Sequence, residues 1–521
     1  MSNTTLLRTL LIYSICLPLA IFLGYMIGYS PDASTDLHTY IGVGIVLFLL
    51  VLPLLLRWHR FLLIASWNAA ILLYFVPGRP ALFFALAWLS LTISILQYIV
   101  NPKIRFISVP SVARPLLFMA TVVMVTARAN GGIGLGALGS EVMGGKKYLE
   151  MLTAVVAFFA LVAQPIPLHK AAPYIVIFFL GFLTHAIGEL GPIIAPGFYF
   201  IFWLFPISEQ SVTTMFSSPG RQEMMQRFSG ITFACAGIYY ALLARYGIRE
   251  LFNSRRLFRL ALLVLVGSAA LLGGFRSTLI QFAATFAVLF YLEGLMRTRL
   301  LPLLLLVLAF SATLLIGFAD RMPLNVQRTL TVVPGVQLDP LARASAESSS
   351  KWRWEMWRDV LPDVPKYFLL GKGFGLSAAD IQKRIVGGPG ELQSLSGEGS
   401  ALAGDFHNGP LSLLIPFGVW GAIGFTWFVI ASLKVLYRNY KFGHPDLQRL
   451  NTFLYAMFLV RAIFFYLVFG SVYSDLGFFV GIVGMGIAIN GGVAKPVLVP
   501  QPVQQPIRIR RPLPRPVPAV T

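Results

Sequence analysis

The sequence predicts an all-α, polytopic integral membrane protein of about 14 transmembrane helices, each built from about 17–25 apolar residues, enough to cross a hydrocarbon core of roughly 30 Å. Three observations predict it. Of 521 residues, 57% are hydrophobic and only 12% are charged, more apolar surface than a water-facing globule buries. Apolar stretches of spanning length recur from Leu10 to Asn490, as they must where lipid supplies no partner for exposed backbone. Lys and Arg concentrate in every second short loop, the pattern that orients such chains.

In chain order, apolar runs between charged or Gly/Pro breaks place spans at 10–28, 39–56, 60–76 and 80–100, then at 112–128, 147–164, 171–190 and 228–246. Further spans at 258–274, 277–296 and 300–318 complete a first region, 1–318, holding helices 1–11 with short loops. A large loop, 319–407, follows, long enough for amphipathic helices of its own. Residues 408–490 carry helices 12–14, at 408–434, 450–470 and 472–490. The remaining residues, 491–521, are rich in Pro and Arg and read as a disordered tail without a packed core. Segment 193–207 (IIAPGFYFIFWLFPI) is apolar but short, with Pro near each end, and reads as re-entrant or interfacial. Met1 to Tyr29 has one Arg, an apolar run and no convincing cleavage site, so it reads as a retained first helix.

An inside N-terminus puts RWHR (57–60), NPKIR (101–105), RELFNSRRLFR (249–259), MRTR (296–299) and 434–449 in the cytoplasm. The tail with Arg508, Arg510, Arg511 and Arg515 falls there too, so both termini are expected to be cytoplasmic. Loops 129–146, 191–227 and 319–407 then lie outside. The formal charge of +20 is spread over short loops and forms no aromatic-interleaved basic surface, which points to topology and anionic membrane lipids and away from nucleic acid. Cys16 and Cys235 both fall inside apolar segments, which argues against a disulfide scaffold and a thiolate metal site.

The large loop holds the chemistry. In KWRWEMWRDVLPDVPKYFLLGKGFG (351–375), Trp352, Trp354 and Trp357 suit a membrane interface, and Arg353 and Arg358 offer guanidinium forks to lipid phosphates or to a substrate diphosphate. GKGFG (371–375) does not match a nucleotide-binding fingerprint and lacks the βαβ context; it reads as a turn where backbone approaches backbone. At the loop's end, GDFHNGPLSLLIPFGVWGAIGF (404–425) sets Asp405, His407 and Asn408 before an apolar helix. His407 is either a general base for a sugar hydroxyl or an incidental imidazole in a helix-capping segment.

Arg276, in LLGGFRSTLI, stands in a very short turn between apolar helices on the same side as His407: a functional cation or one snorkelling to headgroups. Arg227, Lys146 and Lys147 come out on that face as well. His185 and Glu189 share a helical face, and Arg461 can pair with Asp475; helix–helix hydrogen bonding is the simpler reading of both.

GGFRSTLI, then WRWEMW…LLGKGFG, then FHNGPLSLLIPFGVWGAIGF resemble, in this order, the O-antigen ligase and O-antigen polymerase superfamily. The last stretch is the most specific, an HN pair opening a helix that continues with Leu411, Leu414, Gly418, Gly421 and Gly424. The resemblance covers mainly 225–490 and implies a bacterial inner-membrane glycosyltransferase with a GT-C-like fold, working on the periplasmic face without metal or other cofactor. It implies His407 as base, with Arg276 and Arg353 as ligands of an undecaprenyl-diphosphate-linked glycan and Arg227 as a weaker addition. For a polymerase it also implies a chain-length regulator as partner. This sequence has GFRS where many relatives have Ser-Arg-Gly, and more expected spans than ligases usually carry; both departures favour a polymerase over a ligase. The rival from another class is a multi-span secondary transporter or flippase, suited by His185, Glu189 and Arg461 but not by the large outer loop or the absence of inverted repeats. A peptidoglycan glycosyltransferase of the shape, elongation and division type is a nearer third choice.

Overall fold

The computed structural model describes residues 55–131, 144–206, 227–375 and 404–496, apart from short gaps, with isolated positions before them. Among the described residues the secondary structure is helical, relieved by one isolated antiparallel bridge between Leu72 and Ala81. Eight helices are long and apolar enough to cross a membrane: Leu82–Val100, Pro110–Asn130, Leu168–Gly191, Ser229–Leu251, Leu300–Arg321, Gly409–Phe442, Pro445–Leu467 and Val472–Asn490. The shorter Gly145–Leu161, Phe258–Gly273 and Arg276–Leu292 fit between them. Each of these helices falls on one expected span from 80–100 onward, and the chain is a membrane protein. The expected spans 10–28 and most of 39–56, and the tail beyond 496, lie outside the described residues.

The region expected to be a loop and then a span is different. RWHR (57–60) belongs to a helix over residues 55–66, which ends there and not at 76. Arg60 donates to the carbonyls of Leu161 (3.3 Å), Gln164 and Pro165 (3.4 Å), which close the helix Gly145–Leu161. His59 Nδ1 and Ser90 Oγ share a buried hydrogen bond of 2.8 Å. The described residues of 69–80 then run without helix because neighbouring elements take the polar groups here. Asn68 Nδ2 donates to Phe178 O (2.8 Å), Ala70 N to Thr184 Oγ1 (2.8 Å) and Leu72 N to Leu204 O (2.8 Å). An apolar run packed among protein need not be helical, and hydropathy does not register the difference.

Of segment 193–207, Ile193 and Ile194 end the helix Thr184–Ile194. Ile201–Leu204 is a four-residue helix folded back on Thr184–Ile194, too short to cross a bilayer.

Alternating helix directions define two ends. At one, Ile166 N donates to Ala488 O (2.8 Å), Glu293 accepts from the backbone N–H groups of Ile248 and Arg249, and Arg449 pairs with Glu250. At the other gather the N-termini of Ser229–Leu251, Arg276–Leu292, Gly409–Phe442 and Val472–Asn490. Val472–Asn490 is the central strut, packed against Gly145–Leu161 and the two helices before it.

Gly409–Phe442 is broken at Pro416–Gly418. Pro416 has no N–H, and Gly418 adopts φ 64°, ψ −163°. The freed carbonyls of Ile415 and Pro416 accept from Lys372 N (2.7 Å) and Gly373 N (2.9 Å), while Val419 N donates to Phe368 O (2.6 Å). The GKGFG turn thus restores the backbone bonds that the break removes. Gly371 has φ 73°, and a Cβ there would run into the Pro416 carbonyl. Gly371→Ala is expected to lower stability by about 1–3 kcal/mol or more, seen as a lower thermal unfolding midpoint in detergent. Gly335→Ala is the control, with φ 81° but nothing within 4 Å of its added methyl, and should cost less.

Candidate functional site

The segment before the broken helix is shaped by its own polar groups. Asn408 caps the helix, its side chain accepting from Leu411 N at 3.1 Å. His407 lies in the left-handed region at φ 50°, where a side chain adds strain that the surroundings must hold. Asp405 holds it: Oδ1 accepts from His407 Nδ1 (2.8 Å) and from the His407 backbone N–H (3.3 Å). An ionised carboxylate only accepts, so Nδ1 carries a proton, and in the neutral ring Nε2 keeps its lone pair. Burial works against the charge of Asp405, but hydrogen bonding and charge from His407, with Lys147 behind, hold its carboxyl below the usual range. The imidazole stands edge-to-face with Trp352 (5.4 Å) and Phe469 (5.0 Å). Its side chain is 23% exposed, so a ligand can reach it.

Four arginines converge on this end. Arg276 opens the helix Arg276–Leu292 after a left-handed turn at Gly274, and donates to Ala346 O (3.0 Å) and Ser350 Oγ (2.8 Å) of Pro340–Val360. Arg328, buried in Leu324–Leu330, donates from Nη1 to Gly274 O and from Nε to Ser345 Oγ (3.1 Å). Arg353 rides on Pro340–Val360 with its guanidinium 5.9 Å from the Phe469 ring, and Arg227 lies 5.9 Å from the Phe275 ring.

Their charges feel one another. Burial, then Arg353 and Arg276, lower the pKa of Arg227. Burial, then Arg227, Arg276 and Arg353, push Arg328 down to about 9. Burial and then Arg276 lower Arg353, against the pull of Asp405. An anion placed among these guanidiniums would relieve that repulsion. Arg353 Nε and Trp352 Nε1 are buried donors without a hydrogen-bond partner among the described residues, as are Arg60 Nε, Arg259 Nε and Arg461 Nε elsewhere; at this end a ligand oxygen would supply the acceptor.

The structure therefore brings together His407, Arg276, Arg353 and Arg227, the residues singled out in the sequence. Arg358 is left exposed outside the group, and of the three tryptophans only Trp354 is mostly exposed, at 68%. Trp357 Nε1 donates to Phe406 O (2.8 Å), and Trp352 turns to His407. Sequence reasoning missed Arg328 altogether and did not pair Asp405 with His407. A signal existed for each: a lone cation in the short LNVQRTL helix, and a carboxylate two residues before the histidine. Lys147 lies 4.2 Å from the Tyr473 ring, beside Asp405.

The other polar groups hold helices. Glu189 accepts from Ile231 N (2.9 Å) at the start of Ser229–Leu251, and His185 packs on Phe233. Asp475 pairs with Arg461 through Oδ1 and accepts from Ser471 N (2.9 Å) through Oδ2. Arg461 Nη1 reaches Gln281 Oε1 at 3.5 Å.

Residues 260–426, about a third of the chain, match the family model described as O-antigen ligase, in agreement with the resemblance carried by the motifs. The match encloses Arg276, Arg328, Arg353, Asp405 and His407, whereas Arg227, Lys147 and Phe469 come from outside it. It supports a membrane enzyme of O-antigen ligase or polymerase type. No curated protein matches the chain.

Removing one member of the Arg461–Asp475 pair strands the other. Asp475→Ala is expected to destabilise by about 3–5 kcal/mol, read as a lower unfolding midpoint in detergent. The double variant Arg461→Met, Asp475→Ala should recover part of that loss.

Proposed function

We propose that this protein is a membrane glycosyltransferase that polymerises undecaprenyl-diphosphate-linked oligosaccharide repeat units, of O-antigen or exopolysaccharide type, on the periplasmic face of the bacterial inner membrane. The observation that carries the reading is the meeting of His407, its Nε2 unoccupied by Asp405, with four arginines at one end of the helical bundle. Glycosyl transfer from a lipid diphosphate needs both parts. His407 Nε2 takes the proton of the acceptor hydroxyl as its oxygen bonds to the anomeric carbon. The bond from that carbon to the diphosphate oxygen breaks, and the departing lipid diphosphate keeps the electron pair. Arg276, Arg353 and Arg227 take up its charge, which in this reading is why the transfer is metal-independent.

Arg328 acts differently, donating to Gly274 O and Ser345 and so fixing the turn before Arg276 against the long loop helix. Orientation follows from charge: Arg60, Arg249, Arg255, Arg256 and Arg297 sit at the end opposite His407. The positive-inside rule then makes that end cytoplasmic, with both termini, and turns the cluster to the periplasm. Membrane lipids surround the bundle, and a chain-length regulator is the partner expected for a polymerase.

GFRS, in place of the Ser-Arg-Gly of many relatives, favours polymerisation. The description of the matching family favours a second reading, transfer of finished glycan to lipid A-core. Deleting the chromosomal gene and resolving surface glycans and lipid-linked intermediates by gel and mass spectrometry separates them. Polymerase loss leaves single repeat units, whereas ligase loss accumulates long undecaprenyl-linked polymer. Unchanged glycans would overturn both and favour transport. In either transferase, His407→Ala at matched membrane abundance is expected to lower turnover about 10²–10⁴-fold and to fail to complement. Arg276→Lys, which loses the planar fork, should raise KM for the lipid donor as well as lowering kcat.

A further inference from the structure

We infer that Asp405 is a positioning residue of this site, fixing the His407 tautomer that leaves Nε2 as the base and stabilising the imidazolium formed during transfer. The inference rests on the glycosyl-transfer reading above. Its ground is geometric: one carboxylate oxygen accepts from Nδ1 at 2.8 Å and from the His407 backbone N–H at 3.3 Å, tying ring and main chain to one atom. Phe469 and Trp352 close on the ring edge-to-face, so it cannot swing without losing that bond and both contacts. The Asp405 side chain is 26% exposed and keeps its charge beside Lys147, whose ammonium is anchored over Tyr473.

The proton balance is simple. The acceptor proton moves to Nε2, the Nδ1 proton stays on the ring, and the carboxylate remains ionised opposite the imidazolium. A second role competes with this one. The bond to the His407 backbone N–H alone makes Asp405 a turn former, which is all that many aspartates in such turns do.

Asparagine distinguishes the roles, because its Oδ1 can keep the turn bond to the His407 backbone N–H, while it carries no charge and its NH2 can face Nδ1 and favour the other tautomer. Purified full-length protein in nanodiscs, with a lipid-linked repeat unit as donor, gives kcat and KM. Asp405→Asn is expected to lower kcat about 10²-fold or more, with KM for the donor little changed. The charged and titratable groups facing Asp405 from neighbouring elements are Lys147, Arg353 and Tyr473. With the carboxylate gone, Lys147 and Arg353 oppose formation of the imidazolium, and the rate falls.

Asp405→Asn with wild-type kcat overturns the inference and leaves the turn-forming role. Should Asp405→Asn unfold, Asp405→Glu, which retains the charge, must keep at least a tenth or so of the activity; a folded but inactive Asp405→Glu also overturns it. The transfer reading is judged separately. If His407→Ala itself retains full activity, His407 is not the base and that reading fails, whatever Asp405 does.

Discussion

The break in the helix Gly409–Phe442 is the joint on which the site end of the molecule depends. Within a bilayer or a packed core, a carbonyl that loses its helical donor must find another. Here the donors come from the GKGFG turn, and Phe368 O takes up Val419 N in exchange. The repair binds the outer loop to the membrane helix through main chain, which tolerates little displacement. From that joint the loop runs back through Val364 and Val360 to Trp357, which pack with Phe406, Leu411 and Ile415 and place Trp357 Nε1 on Phe406 O. One turn earlier on the same helix come Trp352 and Arg353. The helix break, His407 and Arg353 are therefore joined through one continuous set of contacts.

The second constraint is electrostatic. Four guanidiniums within mutual range are costly to keep together, and the fold tolerates them by anchoring two without neutralising them. Arg276 and Arg328 bond to carbonyls and serines, which fix direction and leave the charge available. The carboxylate in the group, Asp405, is turned to His407. By contrast, Arg461 sits against Asp475 and is consumed in joining helices. The Arg461 charge is met by a carboxylate, whereas those of Arg276 and Arg328 are met by carbonyls and hydroxyls that leave them un-neutralised.

Legibility differed by region for physical reasons. From Leu82 onward the helices follow the apolar runs closely, because lipid-facing backbone has no alternative to helix. Over 55–80 the same reading failed: RWHR is helical and the described residues of 69–80 are not. There the chain packs among protein, where Asn68, Thr184 and Leu204 supply what a helix would have supplied internally. Among site residues, the charged ones in otherwise apolar stretches stood out, as Arg276 and His407 did. Arg328 did not, since a cation in a polar loop is unremarked until the fold buries it.

By itself the sequence determined the membrane class, the order and direction of the helices from Leu82 onward, the turn at GKGFG and the residues with charge to spare near one end. These are properties of local composition and of solvation in lipid, and no distant contact is needed to read them. Only the tertiary structure decided that Arg227, Arg276, Arg328 and Arg353 stand together, and that Trp352 leaves the interface to cover His407. Such contacts join residues separated by tens to well over a hundred positions. Their energy comes from desolvation and like-charge proximity, which exist only once the helices have packed.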